Sequence, residues 1–402
     1  MSKSSSIYAE AWKKLKRDNL AKVGSVIILI ACVVALLGPT IRPDTSGDAD
    51  KQILQLKALK PGFEIDQILV TKNKPAPKNN FFKTLVFGSE SPYETPIPVV
   101  KYWFDGDYIY GERFLGSVDV TDTVKYHIIN VVYPINIKDA DIKSTKEGYT
   151  YRNLEGYEVS VNKAECIQTI EKNHIIRPTY YLGTDRNGRD FLSRIMAGTR
   201  ISLGVGVIAV SISLLIGILM GAMAGFFRGW VDELISWIIN VFWSIPALLL
   251  VIAITLSLGK GIEVVFIAVG LTMWVEVARI VRGQFLTISS FEFVEAGRAL
   301  GFTNGRLIFR HILPNTVGPI IVVAISNFAT AILLESGLSF LGLGVQPPQA
   351  SWGAMVGSYS AYLIGDFAYL AILPGIAIVL LVVAFFMLGN GLRDAFDVRG
   401  KE

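Results

Sequence analysis

Residues 201–227 contain no Asp, Glu, Lys or Arg, and their 27 side chains are apolar apart from three serines. A helix needs about 20 apolar residues to cross the hydrocarbon core of a bilayer. This run therefore reads as a membrane span, and a soluble globular fold for the whole chain is excluded. Five further runs meet the same criterion, at residues 23–41, 234–258, 262–281, 314–334 and 367–392. None alternates with period two, which excludes a transmembrane barrel. The chain is 18% charged, against about 25% for soluble domains, and the deficit is local. Residues 42–200 hold 22 of the 38 Lys and Arg and 21 of the 34 Asp and Glu, as a soluble domain would.

The basic residues orient the spans, because short inner loops carry the Lys and Arg excess. With residues 1–22 inside, fifteen basic residues fall on inner segments. Six precede the first span, Arg228 follows the second, five lie from Arg279 to Arg310, and Arg393, Arg399 and Lys401 close the chain. The short outer loops carry Lys260 alone. A cleaved signal peptide has an apolar core of about 7–15 residues; residues 23–41 are longer and read as an uncleaved anchor.

This orientation places residues 42–180 outside as an inserted domain. Runs such as PIPVVKYWF, YHIINVVYPINIK and YEVSVNKAE, broken by Pro, Gly, Asn and Asp, are strand and turn signals. They predict an α+β or mostly β fold, preceded by a short helix in DKQILQLKALKPGF. Residues 181–200 turn amphipathic, with Asp190 as cap and Phe191, Leu192, Ile195 and Met196 on one face, which predicts a helix on the outer membrane surface. Within residues 201–227, Gly217, Gly221 and Gly225 recur every four residues, a spacing that lets helix backbones approach closely within the chain or against another subunit.

Catalytic constellations are missing from the sequence. His127, His174 and His311 all lie outside the spans, which argues against an intramembrane Ser–His protease. There is no HExxH and no GxxxxGK[ST]. Cys32 lies in an apolar run and Cys166 in the polar region, which reads as two unpaired thiols, and no metal-ligand spacing occurs. A net charge of +4 points to no nucleic-acid partner. Two carboxylates in apolar runs stand out, since charges at bilayer depth are costly and commonly functional. Glu276 precedes Arg279 by three residues, the spacing of an intrahelical pair. Glu335 lies 18 residues beyond Val317, roughly 27 Å along a helix, near the outer end of its span. Glu276 reads either as half of a neutralised pair near the inner interface or as a gate or pathway charge, and Glu335 either as part of an outer gate or cavity wall or as a capping or packing group.

One stretch breaks the apolar pattern on the inner side: VEAGRALGFTNGRLIFRHILPN, residues 294–315. It resembles the EAA loop of bacterial ABC-importer permeases, with Glu295-Ala296-Gly297, three residues, Gly301, nine residues, then His311-Ile312-Leu313-Pro314. Gly297 stands where the pattern has alanine and His311 where it has isoleucine. Three more stretches, LGTDRNGRDFLSRIMAGTRISL, ESGLSFLGLGVQPPQASWGAM and LGNGLRDAFDVRG, are similar to the C-type permease subunit of dipeptide, oligopeptide and nickel importers. Together these cover residues 182–400 in order. In typical members the stretch between the first span and GTDxxGRD is much shorter.

The resemblance implies an all-α polytopic membrane protein with six transmembrane helices, a type I ABC importer permease, here with an enlarged extracytoplasmic insert. It implies a permease core over residues 201–394 with a coupling loop at 285–313 and a cytoplasmic tail at 395–402. It also implies that this chain is no enzyme and holds no cofactor, ATP and Mg being bound by two partner ABC ATPases. A second homologous permease subunit, an extracytoplasmic peptide-binding protein and membrane lipid complete its partners, in the bacterial inner membrane with both termini cytoplasmic. Glu295, Ala296, Gly297, Arg298, Gly301, Arg310, Leu313 and Pro314 would form the ATPase-coupling surface. Small residues there let a short helix nestle and turn, and proline suits a first helical turn at re-entry. Substrates across such relatives include di- and oligopeptides, nickel chelates and antimicrobial peptides. Two rival classes remain open at this point: a secondary transporter driven through Glu276 and Glu335, and a sensor or scaffold whose outer domain binds a ligand.

Overall fold

The computed structural model describes residues 7–75, 84, 88–89, 93–135, 142–145 and 148–396. Residues 397–402, with Arg399 and Lys401 of the expected basic tail, lie outside the described residues, as do residues 136–138 of the YHIINVVYPINIK run. The chain divides into two compact units, residues 1–35 with 198–402, and residues 36–197.

The first unit is helical. Helix α1 (Ile7–Leu15) leads into α2 (Asn19–Ile41), whose start is capped by Asp18 accepting from the N–H groups of Leu20 and Ala21 at 2.8 and 3.2 Å. The remaining helices are α3 (Phe191–Phe227), α4 (Gly229–Trp243), α5 (Ala247–Leu258), α6 (Ile262–Ile288), α7 (Glu292–Ala299), α8 (Asn304–Phe340), α9 (Trp352–Tyr359) and α10 (Tyr369–Phe396). Among the described residues, five helices are long and apolar enough to cross a membrane: α2, α3, α6, α8 and α10.

A sixth crossing exists only if α4 and α5 count together, and they meet at 90°. The expected straight span at 234–258 is thus broken. Pro246 supplies no N–H and disfavours helical backbone at Ile245, so the chain turns there. The expected separate helix within 181–200 also differs. Asp190 does cap, accepting from the Ser193 N–H at 2.7 Å, but the helix it starts runs unbroken through residue 227.

The glycine series of α3 faces α6. A Cβ at Gly217 would stand 2.7 Å from the Trp274 carbonyl oxygen, at Gly221 2.5 Å from that of Ala278, and at Gly225 2.7 Å from that of Arg282. Three glycines one turn apart therefore let two backbones touch, and the seam is internal to this chain. Buried Val277, Val281 and Phe285 fill it. At its end the Arg282 guanidinium grips Asp232 of α4 with two hydrogen bonds, one of them 2.7 Å, which fixes the broken helix to α6.

The second unit is α+β. Strands β1 (Phe63–Glu64), β2 (Asp66–Thr71), β3 (Glu94–Asp105), β4 (Tyr108–Ser117), β5 (Val120–His127), β6 (Lys143–Ser144), β7 (Gly148–Arg152), β8 (Glu158–Asn162), β9 (Ile175–Ile176) and β10 (Thr179–Tyr180) form three sheets. The largest is antiparallel in the order β5-β4-β3-β2-β9; β6-β7-β8 and β1-β10 complete the set. The β-branched IINVV stretch, which reads as strand, is a helical turn instead (Ile128–Val132). His127 caps it through Nδ1, accepting from the Ile129 N–H at 3.2 Å, and the turn drives Ile128, Ile129 and Val131 into the core beside Ile68, Val99 and Tyr149. The helix expected in DKQILQLKALKPGF shrinks to one turn at Leu54–Leu56.

Candidate functional site

The loop after α6 is built around a glycine reversal. In α7, Val294 and Gly297 point inward, whereas Glu292, Glu295, Ala296 and Arg298 are exposed. Val294 packs with Phe285, Ile288, Leu307 and Ile312, so the short helix is seated on the core. It ends at Gly301, whose φ of +76° lies in the left-handed region. The Phe302 N–H bonds to the Gly297 carbonyl and the Gly301 N–H to that of Arg298, both at 3.0 Å. This double closure is a Schellman motif, with glycine at the position that must be left-handed. Thr303 then caps α8 through the Arg306 N–H at 3.4 Å.

The two departures from the EAA pattern share one cause. A Cβ on Gly297 would stand 3.0 Å from Leu307 and 3.1 Å from the Phe302 ring. The missing methyl lets Phe302 lie close, and His311 stacks on that ring with centroids 5.5 Å apart and planes at 19°. The Arg306 guanidinium lies 3.9 Å from the same ring centroid. Arg310 and Pro314 are exposed and Leu313 half-buried. Pro314 sits in the first turn of the regular stretch Leu313–Phe340, as expected of a proline, but α8 itself begins ten residues earlier through wide turns at Leu307–Ile312. Large apolar side chains around the reversal stay uncovered among the described residues: Phe291, Phe293, Leu300 (74% exposed) and Phe309 (70% exposed).

The two intramembrane carboxylates part company. Glu276 and Arg279 line a cavity of about 670 Å³ at the α4–α5 bend. They form no ion pair within 4 Å; instead the Arg279 guanidinium stacks 3.1 Å from the Trp243 ring centroid, leaving Glu276 exposed. Trp243 ends α4, which the Asp232–Arg282 pair holds against α6. Glu335, by contrast, is fully buried. Its Oε1 accepts from Ser339 and Ser351, each at 2.7 Å, and Oε2 from Ser336 at 3.4 Å. Ser351 also caps α9, and Gly353 packs directly on the Ser336 backbone. The structure places Glu335 at a joint between α8 and α9, and its side chain does not line the cavity, although that of the adjacent Leu334 does.

Residues 213–401 match the family described as binding-protein-dependent transport system inner membrane component, and residues 6–61 match the N-terminal TM domain of oligopeptide transport permease C. The glutathione transport system permease protein GsiD of Pectobacterium atrosepticum is 40% identical over 222 residues, 55% of this chain and 73% of that protein. The dipeptide transport system permease protein DppC of Alkalihalophilus pseudofirmus is 41% identical over 236 residues, 58% of this chain and 77% of that protein. The oligopeptide transport system permease protein OppC of Bacillus subtilis is 41% identical over 54% of this chain and 71% of that protein. The chain belongs to this family of permeases. It is a multi-pass inner-membrane protein.

The two family matches cover residues 6–61 and 213–401, so most of the sheet-bearing unit lies between them. Inside that unit the GTDRNGRD stretch acts as a clamp. Arg189 donates to Asp185 at 2.6 Å and to Asp50 at 2.8 Å. The Thr184 hydroxyl accepts from the Leu59 N–H at 2.9 Å and donates to the Leu56 carbonyl, and Ser193 accepts from the Asp44 N–H at 2.9 Å. Gly188 abuts the Ile53 backbone so closely that no Cβ fits. Most of these partners sit more than a hundred residues apart in sequence, which is why motif spacing alone does not reveal them. Gly62 and Tyr180, joined by a 2.9 Å backbone bond, mark where the extra sheets leave and rejoin the clamp.

Proposed function

We propose that this permease is one subunit of an ATP-driven importer of short peptides, working by alternating access, with its α6–α8 loop facing the cytoplasm and seated on a partner ATPase. The observation that carries the reading is the loop itself. A rigid, Schellman-closed reversal presents Glu295, Ala296 and Arg298 together with Leu300 and Phe309 as an uncovered mixed surface. Exposed apolar patches rimmed by polar groups mark protein interfaces. Because Val294 and the α8 wide turns share one core cluster, a push on α7 reaches the spans without an intervening flexible hinge. Peptides as cargo follow from the dipeptide, oligopeptide and glutathione relatives. A second permease subunit, two ATPases and a peptide-binding protein complete the assembly, and the inserted sheets lie outside.

The test is reconstitution. The chain expressed with its companion subunits should support ATP-dependent dipeptide uptake into proteoliposomes. Leu300→Asp with Phe309→Asp should abolish uptake and ATPase co-purification while leaving membrane insertion intact. Uptake that survives this pair with normal ATPase retention would overturn the coupling assignment. An ion-gradient requirement without ATP would overturn the importer reading.

A further inference from the structure

The cavity at the α4–α5 bend carries two opposite charges that form no ion pair within 4 Å. Glu276 and Arg279 are one helical turn apart on α6, which puts their Cβ atoms about 5–6 Å apart. At that spacing an intrahelical ion pair would be the ordinary outcome, yet none forms. The guanidinium is held flat against Trp243, 3.1 Å from the ring centroid, a contact that orients the cation while leaving its N–H edge free for an acceptor. Glu276 is exposed, with no side-chain hydrogen bond among the described residues. Around the two charges the wall is apolar and aromatic, from Phe242, Met273, Leu250 and Leu334. About 670 Å³ falls within the range of small-molecule pockets, which combine apolar walls with a few fixed polar groups.

A ligand that satisfies this wall needs a cation and an anion a short distance apart on an apolar body. An extended chain advances at most about 3.3–3.6 Å per residue. A dipeptide therefore holds its amino and carboxylate termini roughly 7 Å apart, within reach of two side chains one turn apart. We infer that Glu276 and Arg279 form a dipeptide-binding station within this subunit, Glu276 taking the α-ammonium and the Trp243-braced Arg279 the α-carboxylate. This deepens the proposed function and rests on it. It assigns to this chain a recognition of peptide termini separate from any made by a binding protein. Longer peptides engage one terminus at a time or must curve, so the station favours the shortest cargo.

Thiol protection tests it without involving the binding protein. Ala247, which lines the cavity and is exposed, is changed to Cys in the assembled complex with Cys32→Ser and Cys166→Ser. Maleimide labelling is then timed with and without millimolar dileucine. Labelling should slow at least threefold with free dileucine and stay unchanged with N-acetyl-dileucine amide. Adding Glu276→Gln or Arg279→Gln should remove the protection while ATPase co-purification persists, and Arg279→Lys should retain part of it. Equal protection by free and capped peptide, or protection that survives Glu276→Gln, would overturn the station. So would no protection by any peptide in a complex that still imports dipeptides, an outcome that leaves the importer reading standing. Loss of uptake in the unmodified complex would instead overturn the importer reading itself.

Discussion

Replacing Glu335 separates a structural carboxyl group from a transport-active one. Its Oε1 is the shared acceptor for Ser339 and Ser351, both at 2.7 Å in a site closed to solvent. In Glu335→Ala both hydroxyls lose that acceptor. A buried polar group without a partner costs about 1–3 kcal/mol, and the emptied volume adds more, so roughly 3–6 kcal/mol is expected. Ser351 is also the cap of α9, accepting from the Ala354 N–H at 3.4 Å, so the loss propagates into Trp352–Tyr359. Glu335→Gln keeps an acceptor oxygen at Oε1 and turns an amide toward Ser336, whose 3.4 Å contact is the weakest of the three. Its cost should stay within about 1 kcal/mol, since a neutral acceptor replaces a carboxyl one without emptying space. Thermal stability of the purified complex and ATP-dependent uptake measure the two effects side by side. The expected order is wild type and Gln together, Ala well below in both. A Gln variant of normal thermal stability but without uptake would refute the structural assignment and return Glu335 to the transport pathway.

Gly301→Ala should lower coupling of ATP hydrolysis to uptake, because an L-residue at φ +76° costs roughly 1–2 kcal/mol while open space around the Cβ adds no clash. Gly301→Asn, which tolerates that backbone, should recover most of it; equal failure of both would show that the position must stay bare for the partner and not for the turn. In the second unit, the hydrogen bond from the Lys163 ammonium, followed by those from the Tyr149 and Ser144 hydroxyls, holds the Asp107 carboxyl down to about 2. An unfolded Asp titrates near 3.9, so the stability this adds is complete above that value and is lost as pH falls through about 2. Hydrogen-exchange protection of β7 and β8 should therefore drop between about pH 4 and pH 2, and Asp107→Asn should flatten that dependence; an unchanged profile would refute it. Excising residues 65–178 and bridging Glu64 to Thr179 with a two-residue glycine turn should leave the complex assembled, because Phe63–Tyr180 and Glu64–Thr179 already pair. Loss of ATPase or permease partners from that variant would show that the extra sheets hold the assembly together.

The sequence made legible what depends on runs and spacing. Apolar length located the spans, glycine at every fourth position marked a close helix seam, and the EAA-like spacing marked the reversal at Gly301. What stayed hidden depends on which distant residue completes a local pattern. Glu276 and Arg279 have the spacing of a pair, but Trp243, 36 residues earlier at the end of α4, takes the arginine instead. For Glu335 the sequence leaves a gate charge and a capping or packing group equally open, because its partner Ser351 lies 16 residues on, beyond the end of its own helix. IINVV looked like a strand because β-branching outweighed a histidine cap that pattern alone does not weigh. The departures at Gly297 and His311 carry the same lesson in the opposite direction. Taken singly each weakens the match to the EAA pattern, yet Phe302 touches both, filling the space a methyl would occupy and stacking on the imidazole. They are one substitution in physical terms. Restoring alanine at 297 alone should press on both Leu307 and Phe302 and lower the thermal stability of the purified complex, and adding Phe302→Leu should relieve only the second contact and recover part of that loss; full stability in the single variant would refute the close packing.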